Sequence, residues 1–321
     1  MKIQPSLATI REAQKLLAKY FAATRMIPAP FLSRRTGKNV YLKLETELPT
    51  GSFKVRGAYY ALTQKMKEGS VKEVVASSTG NHGAAVAHAA KAFGIAARIF
   101  LPANCNPVKR GRIAALGAAI VESGGSDLAS AFQMAAEYAK QPGMYFLNDA
   151  TDPDLPAGPA TIGCEILEQL PKVTAILVPM GDTALIRGIA ATVRQISPQV
   201  RIIGLQAERA PAYYLSWKAG KVVGTETCDT IADGLATRTP EEANVRDVGS
   251  LVDDVVLVSE QEMLGAIETL LVEEHVVAEP AGAASTAALL KSNGGCGDCP
   301  VLIVSGANIS REMLKRALAG D

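Results

Sequence analysis

Lys54, in the stretch PTGSFKVRGA, is the residue of this chain best suited to covalent chemistry. It lies between Phe53 and Val55, directly after a Gly-Ser turn. A lysine among apolar neighbours either extends its ammonium group to the surface or is partly desolvated. Desolvation lowers the pKa of the ammonium group and makes the side chain a usable nucleophile or base. Because most lysines lie at the surface, the choice between the two depends on the rest of the chain.

Three loops of small and polar residues directly follow apolar, β-branched runs. They are SSTGNHG at 77–83, GDTAL at 181–185 and SGANIS at 305–310. In open parallel sheets, ligands bind in the crevice outside the carboxyl ends of the strands. We therefore expect the three loops to converge on one pocket. Lys54 follows a similar run, NVYLKLE at 39–45, and is expected to reach the same crevice.

The first two of these loops precede helical patterns and are suited to holding anions. Helix N-termini leave backbone N–H groups unpaired and carry a positive dipole end. Asn81 or Ser78 could instead serve only as a helix cap. Asp182 is an unfavourable neighbour for a phosphate unless its carboxylate points away.

One cofactor suits a lysine, an anion loop and an opposing polar group. Pyridoxal phosphate needs a lysine for a Schiff base, a phosphate site and a partner for its ring nitrogen. The signatures GxGxxG, GxxxxGK[ST] and GxSxG are absent from the sequence. A nicotinamide enzyme, a P-loop nucleotidase and an α/β-hydrolase are therefore unsupported.

The order of the predicted elements indicates an α/β fold. Short β-branched runs alternate with Ala-rich stretches of helical spacing, which implies parallel sheets covered by helices on both faces. No Pro/Ser linker marks a domain boundary. The predicted strands are 39–45, 72–78, 96–102, 118–124, 175–180, 201–207, 254–259 and 301–307.

Composition narrows the class of partner. The 33 basic and 32 acidic residues nearly cancel, which argues against nucleic acid and against electrostatic membrane binding. The first twenty residues predict an amphipathic helix and not a signal peptide, so we expect a cytoplasmic protein. The pair Cys296 and Cys299 is a weak indication of a metal or redox site, because no second pair accompanies it.

Several ordered motifs together resemble the fold-type II pyridoxal-phosphate enzymes, in particular the serine/threonine dehydratase and serine racemase group. The resemblance covers essentially the whole chain and extends to the hydroxyectoine-utilisation dehydratases. It is carried by KLETELPTGSFKVRGA, SSTGNHG, AGPATIGCEI, AEPAGA and SGANIS. It implies a two-lobed, tryptophan-synthase-β-like architecture with mostly parallel sheets. The implied large domain is 1–71 plus 151–321, and the implied small domain is 72–150.

The resemblance also implies roles for individual residues. Lys54 would form the imine with pyridoxal phosphate and then act as the base at Cα. Phe53 would lie against the cofactor, Asn81 would hydrogen-bond its ring hydroxyl, and Ser305 would face the ring nitrogen. The substrate carboxylate would be bound by Ser77, Ser78, Thr79 and His82. The phosphate would be bound by Gly181, Asp182, Thr183, Ala184 and Leu185, and Glu279 would lie near the site.

This chain departs from the family pattern in four places. The phosphate loop is usually a run of glycines, so we expect Thr183 to supply a hydroxyl group in place of backbone amides. The family block with Gln-Gly after Ala-Gly reads Gly158-Pro159-Ala160 here. Gln206 and Ala212 replace acidic residues that bind a cation in relatives, so no metal is expected there. Thr79 stands where racemases carry a serine, and it could either protonate Cα or only bind substrate.

The resulting hypothesis is a lyase that dehydrates L-threonine or L-serine to a 2-keto acid and ammonia. The altered loops leave open a specialised substrate: a 3-hydroxyaspartate, a phenylserine or a hydroxyectoine-derived amino acid. An amino-acid racemase is a second hypothesis, and a non-catalytic binding protein is a third. The resemblance further implies a homodimer, and the end of the chain at Asp321 leads us to expect no regulatory domain.

Overall fold

Two separate β-sheets organise the chain in the computed structural model, which describes residues 4–103, 105, 107–125, 128–291 and 296–320. The larger sheet has six strands in the order β1-β2-β10-β7-β8-β9, and the smaller has four in the order β5-β4-β3-β6. All neighbouring strands run parallel except β1 against β2. The strands are β1 Met26–Pro28, β2 Tyr41–Leu44, β3 Glu73–Ser77, β4 Ala96–Pro102, β5 Ala119–Ser123, β6 Met144–Phe146, β7 Ala175–Pro179, β8 Arg201–Ala207, β9 Asp254–Val258 and β10 Pro300–Val304.

Helices connect the strands, as parallel pairing requires. Short 3₁₀ turns lie at Glu45–Glu47 and Asp233–Leu235. The α-helices are α1 Leu7–Leu17, α2 Pro30–Thr36, α3 Lys54–Glu68, α4 Asn81–Phe93, α5 Pro107–Ala115, α6 Leu128–Tyr138, α7 Ala157–Gln169, α8 Ala184–Ile196, α9 Ala212–Ala219, α10 Glu242–Leu251, α11 Glu260–Val272, α12 Pro280–Lys291 and α13 Arg311–Ala319.

The α/β fold predicted from the sequence is confirmed, and each of the eight predicted strands is present. The pattern missed β1 and β6, which have three residues each and are too short to show a period. The small sheet is built only from strands between Glu73 and Phe146. The division into domains at 72 and 150 stays a prediction.

Helix α3, which begins at Lys54, packs on the side of the small sheet. Its residues Val55 and Leu62 share a buried cluster with Val86 of α4 and Val74 of β3. On its other side α3 meets α7, where a Cβ atom added to Gly158 would lie 2.3 Å from the carbonyl oxygen of Arg56. Gly158 therefore allows the two helices to approach closely, and this contact fixes the position of the first turn of α3.

A buried network of four charges joins α3 to the large sheet. Lys43 Nζ lies 2.6 Å from Glu165 Oε2, and Arg56 binds both Glu165 (Nη1 to Oε1, 2.5 Å) and Glu45 (Nε to Oε2, 2.8 Å). The Thr24 hydroxyl donates to Glu45. Two cations and two carboxylates balance, so each charge keeps a partner away from water, as buried charges require.

Glu165→Ala should destabilise the protein by about 3–5 kcal/mol, because it leaves Lys43 and Arg56 buried with a single carboxylate. Glu168→Ala, on the same helix, removes an exposed ion pair with Arg11 and should cost no more than about 1 kcal/mol. Urea unfolding of both variants measures the difference. Equal losses would show that the network does not hold α3 in place.

Candidate active site

Lys54 is positioned by the carboxyl end of β10. The backbone N–H of Phe53 donates to the carbonyl of Ser305 at 3.1 Å, and Ser52 forms an isolated bridge with Gly306. Gly51, at φ +69°, makes the preceding turn in a conformation that favours glycine. Helix α3 therefore starts at the edge of the large sheet with Lys54 as its first residue.

The Lys54 ammonium group is an ion-pair partner and not an isolated desolvated amine. Its Nζ lies 2.7 Å from Asp149 Oδ2, and its side chain is 16% exposed. Burial lowers the pKa of Lys54, but the charges of Asp149 and Asp182 outweigh burial and raise it above its ordinary value. Of the two alternatives open from the sequence, the structure shows a largely buried lysine, but the facing carboxylates, which the sequence did not reveal, reverse the pKa decrease that desolvation alone would cause.

Asp149 is the carboxylate that pairs with Lys54. Burial alone would raise the pKa of Asp149, but the positive charge of Lys54 and its hydrogen bond hold that pKa well below its ordinary value. Asp149 follows β6, whose carboxyl end lies beside that of β3 and therefore at the same edge as loop 77–83. Sequence reasoning missed this residue because β6 was not recognised, although an acidic residue after a strand was available as a signal.

Loop 77–83 leads into α4 without a side-chain cap. Gly80 is the N-cap residue, and no side chain bonds there. Asn81 instead donates through Nδ2 to Glu279 Oε1 at 2.6 Å and accepts from Asn308 Nδ2 at 2.7 Å. Ser78 only accepts from the N–H of Gly80, at 3.3 Å. The alternative in which Asn81 or Ser78 caps the helix is therefore wrong, and the N–H groups of the first turn face the cavity uncapped by these side chains.

His82 is buried, with 4% of its surface exposed. Its Nε2 lies 2.8 Å from the carbonyl oxygen of Leu147, which can only accept, so Nε2 carries the proton. Its Nδ1 has no hydrogen-bond partner and lies 3.9 Å from Asp149 Oδ2. Burial lowers the pKa of His82, so the neutral ring presents an acceptor. The predicted contact with a substrate carboxylate is then available only through the backbone N–H of His82.

Loop 181–185 closes tightly before α8. A Cβ atom added to Gly181 would lie 2.1 Å from the carbonyl oxygen of Gly234. Thr183 adopts the left-handed conformation at φ +69°. Its hydroxyl donates to the carbonyl of Asp182 and accepts from Arg187 Nε at 3.0 Å. In this arrangement the hydroxyl is engaged within the protein, and the role of Thr183 as a hydroxyl donor to the phosphate stays a prediction.

Asp182 lines the cavity, and its carboxyl takes up a proton at a higher pH than an ordinary aspartate does. Burial, followed by the charge of Asp149, raises the pKa of Asp182 to about 6, although Lys54 opposes the shift. The hydroxyl of Thr237 donates to its Oδ1 at 3.1 Å. A partly neutral Asp182 repels a phosphate less than a full carboxylate would.

The loops enclose one cavity of about 760 Å³. All the residues that the sequence singled out for catalysis or binding line it, together with residues that it missed, such as Asp149, Asn308 and Thr237. Their individual roles stay predictions. The predicted residues in the lining are Phe53, Lys54, Ser77, Ser78, Thr79, Asn81, His82, Gly181, Asp182, Thr183, Ala184, Leu185 and Ser305.

The cysteine pair and the cation position lie outside this cavity. Cys296 and Cys299 are buried and free of disulfides. Gln206 is buried, and its Oε1 accepts from the N–H of Tyr214. Among the described residues, no group of three or more His, Cys, Asp or Glu side chains is arranged to hold a metal ion.

Comparison with known proteins identifies the family. A family model described as "Pyridoxal-phosphate dependent enzyme" matches residues 17–306. The chain belongs to this family. As a pyridoxal-phosphate enzyme, it takes pyridoxal phosphate as its cofactor.

Named relatives of this pyridoxal-phosphate enzyme match over most of their length. The L-threonine ammonia-lyase of Thermotoga maritima is 36% identical over 98% of this chain and 78% of its own. The catabolic L-threonine dehydratase TdcB of Staphylococcus aureus is 35% identical over 95% of this chain and 89% of its own.

Solved structures show the same fold. Maize serine racemase matches with a TM-score of 0.92 and 30% identity, covering 98% of this chain and 97% of its own. The threonine deaminase isoform 2 of Solanum lycopersicum, in its processed form, matches with a TM-score of 0.90 and 29% identity, over 100% and 95% of the two chains. The fold-type II architecture inferred from the motifs is therefore confirmed.

The residues present fit pyridoxal phosphate. Gly181 allows its loop to pack directly against the carbonyl of Gly234, and this packing places the loop at the N-terminus of α8. The first N–H groups of that helix have no intrahelical partner and favour an anion. Lys54 lies in the same cavity, where its amine can bond to the cofactor carbonyl carbon.

Gly181→Ala should weaken cofactor binding by at least about tenfold, since the added methyl group would displace the loop from Gly234. Gly249→Ala provides the matched control, because nothing lies within 4 Å of a Cβ atom there. Absorbance titration of pyridoxal phosphate into each apoprotein measures the affinity, and circular dichroism checks that both variants fold. Unchanged affinity in Gly181→Ala would remove the loop from the phosphate site.

Asp182→Asn should stabilise the apoprotein more at pH 8 than at pH 4. The carboxyl pKa rises on folding from 3.8 to about 6, so the folded state holds this proton to higher pH than the unfolded state does. Stability is therefore lost as pH rises through that window. The substitution removes this loss, which amounts to about 2–3 kcal/mol between pH 4 and pH 8. Urea midpoints at both pH values measure it, with the exposed Asp229→Asn as control. A pH-independent difference between Asp182→Asn and the wild type would contradict the raised pKa.

Proposed function

We propose that this enzyme is an ammonia-lyase that removes water from a β-hydroxy amino acid and yields a 2-keto acid and ammonia. The observation that carries the proposal is the convergence of Lys54 and the three strand-end loops on one cavity. The names of the relatives, L-threonine ammonia-lyase and L-threonine dehydratase, support L-threonine and L-serine as the default substrates.

The residues that line the cavity have different roles in the proposed reaction. The uncapped N–H groups at the start of α4, with the hydroxyl groups of Ser78 and Thr79, bind the substrate carboxylate. Asn81 is oriented by Glu279 and Asn308 and is held ready to position the cofactor ring. When bound, the cofactor draws electrons away from the substrate Cα.

Lys54 supplies the base. Its Nζ takes the proton from Cα, which requires the neutral amine. The electron pair of the C–H bond forms the Cα–Cβ double bond, and the β-hydroxyl group leaves as water by taking up the proton that Lys54 Nζ has just accepted. Hydrolysis of the unsaturated amine then gives the keto acid and ammonia.

A racemase is the second candidate. Thr79 lines the cavity, and maize serine racemase is among the similar structures. In that case the hydroxyl of Thr79 would return a proton to the face of Cα opposite Lys54.

Keto-acid release from L- and D-threonine and L- and D-serine tests the proposal, with chiral analysis of the remaining substrate. We expect the L-isomers to react, and Lys54→Ala to lower the rate by at least about a thousandfold. Borohydride should attach the cofactor to the wild type and to the exposed Lys91→Ala, but not to Lys54→Ala. Racemised substrate without keto acid would favour the racemase, and attachment in Lys54→Ala would remove Lys54 from its role.

The location and oligomeric state of the enzyme form a separate proposal. In the described part of the chain, every helix is too short or too polar to cross a membrane. We propose that the enzyme is cytoplasmic and, from its family resemblance, a homodimer. The mass of the purified holoenzyme in solution tests the dimer.

A further inference from the structure

Carboxylates outnumber cations around the cavity. Asp149, Asp182, Asp233 and Glu279 line it, against Lys54 and Arg112. The ligands of the proposed reaction, a phosphate and an amino-acid carboxylate, add further negative charge. A cationic group on the substrate would offset part of this negative charge.

The Lys54–Asp149 pair is in conflict with catalysis by Lys54. The lysine must lose its positive charge to act as a base, yet the neighbouring carboxylates favour the ammonium form. When Lys54 is neutral, Asp149, whose side chain is 20% exposed, is a largely desolvated carboxylate without its cation, which is costly. Another cation beside Asp149 would remove that cost and would also lower the pKa of Lys54.

His82 provides a second, independent acceptor at the same place. Its Nδ1 is buried without a hydrogen-bond partner and is directed toward Asp149 Oδ2, 3.9 Å away. An ammonium group has three donors and no acceptor, so one group placed between these two atoms could donate to both. A carboxylate or a hydrocarbon side chain could satisfy neither acceptor.

We propose, building on the lyase function proposed above, that Asp149, His82 and Asp182 bind a second ammonium group on the substrate. The ammonium donates to Asp149 Oδ2 and His82 Nδ1, with Asp182 adding charge. Since Asp149 Oδ2 is 2.7 Å from Lys54 Nζ, a group on the same oxygen lies within about 6 Å of that lysine nitrogen. A γ-amino group on a substrate whose Cα faces Lys54 fits this distance. The preferred substrate class is therefore a short β-hydroxy amino acid with a γ-ammonium group, and 3-hydroxyaspartate is disfavoured.

Two non-hydroxylated inhibitors of nearly equal shape test the proposal. In 2,4-diaminobutyrate an ammonium group replaces the terminal methyl group of norvaline, and neither compound can lose water. Their inhibition constants against L-threonine turnover are measured on the holoenzyme, together with the change in cofactor absorbance on binding. We expect the wild type to bind 2,4-diaminobutyrate at least about tenfold more tightly. Asp149→Asn should bring the two constants within about twofold of each other by weakening only the diamine.

The control is Asp229→Asn, which removes an exposed carboxylate paired with Arg209 and should leave the ratio unchanged. If Asp149→Asn does not fold, the ratio of the two inhibition constants, measured in the wild type and in Asp182→Asn, still tests the proposal. Equal binding of both compounds by the wild type would overturn it, and so would a preference that survives in Asp149→Asn. A loss of affinity for both compounds in Asp149→Asn would also overturn it, by showing that Asp149 only positions Lys54.

The two proposals can fail separately. If the enzyme turns over threonine but binds the two inhibitors equally, the lyase proposal is supported and the ammonium-site proposal is overturned. If the absorbance measurement shows tighter binding of 2,4-diaminobutyrate than of norvaline, but no β-hydroxy amino acid is turned over, the ammonium-site proposal is supported and the lyase proposal is overturned.

Discussion

The buried charges of Lys43, Glu45, Arg56 and Glu165 are the constraint on which the site depends. Arg56 lies two residues after Lys54 and makes its ion pairs at 2.5 and 2.8 Å with carboxylates from α7 and from the turn after β2. Removal of these charges from water is costly, and the cost is offset only while every partner stays in place. The network therefore fixes the first turn of α3, and with it the direction in which Lys54 enters the cavity.

The opposite wall of the cavity shows another use of buried charge. Thr183 has a left-handed backbone conformation that glycine usually adopts. The guanidinium of Arg187, one turn later in α8, donates a hydrogen bond to the Thr183 hydroxyl. The loop is thus stiffened by side chains where a run of glycines would be flexible. This loop holds Asp182 near Lys54 and Asp149. As a result, a site that binds anionic groups also contains acidic side chains.

This coexistence of acids and anions connects the chemistry to substrate choice. Lys54 works as a base only when it is neutral, while Asp149 is stable only beside a cation. Both conditions are met at once if the substrate brings the cation. The same carboxylate that opposes catalysis on threonine would then support catalysis on a diamine, which is how an unfavourable local charge can act as a specificity element.

The sequence by itself determined the α/β class, the main strands and the three loops that follow them. These features could be predicted because the spacing of apolar residues and the composition of loops are local properties of the chain. It also identified Lys54, Asn81 and Ser305, whose motifs are contiguous. Only the tertiary structure decided that Asp149 pairs with Lys54 and raises its pKa, that His82 presents an acceptor, and that the Thr183 hydroxyl is engaged by Arg187. Each of these features depends on burial and on residues that are distant in the chain. Strand β6, which precedes Asp149, is stabilised by pairing with β3 and is too short to show a sequence pattern.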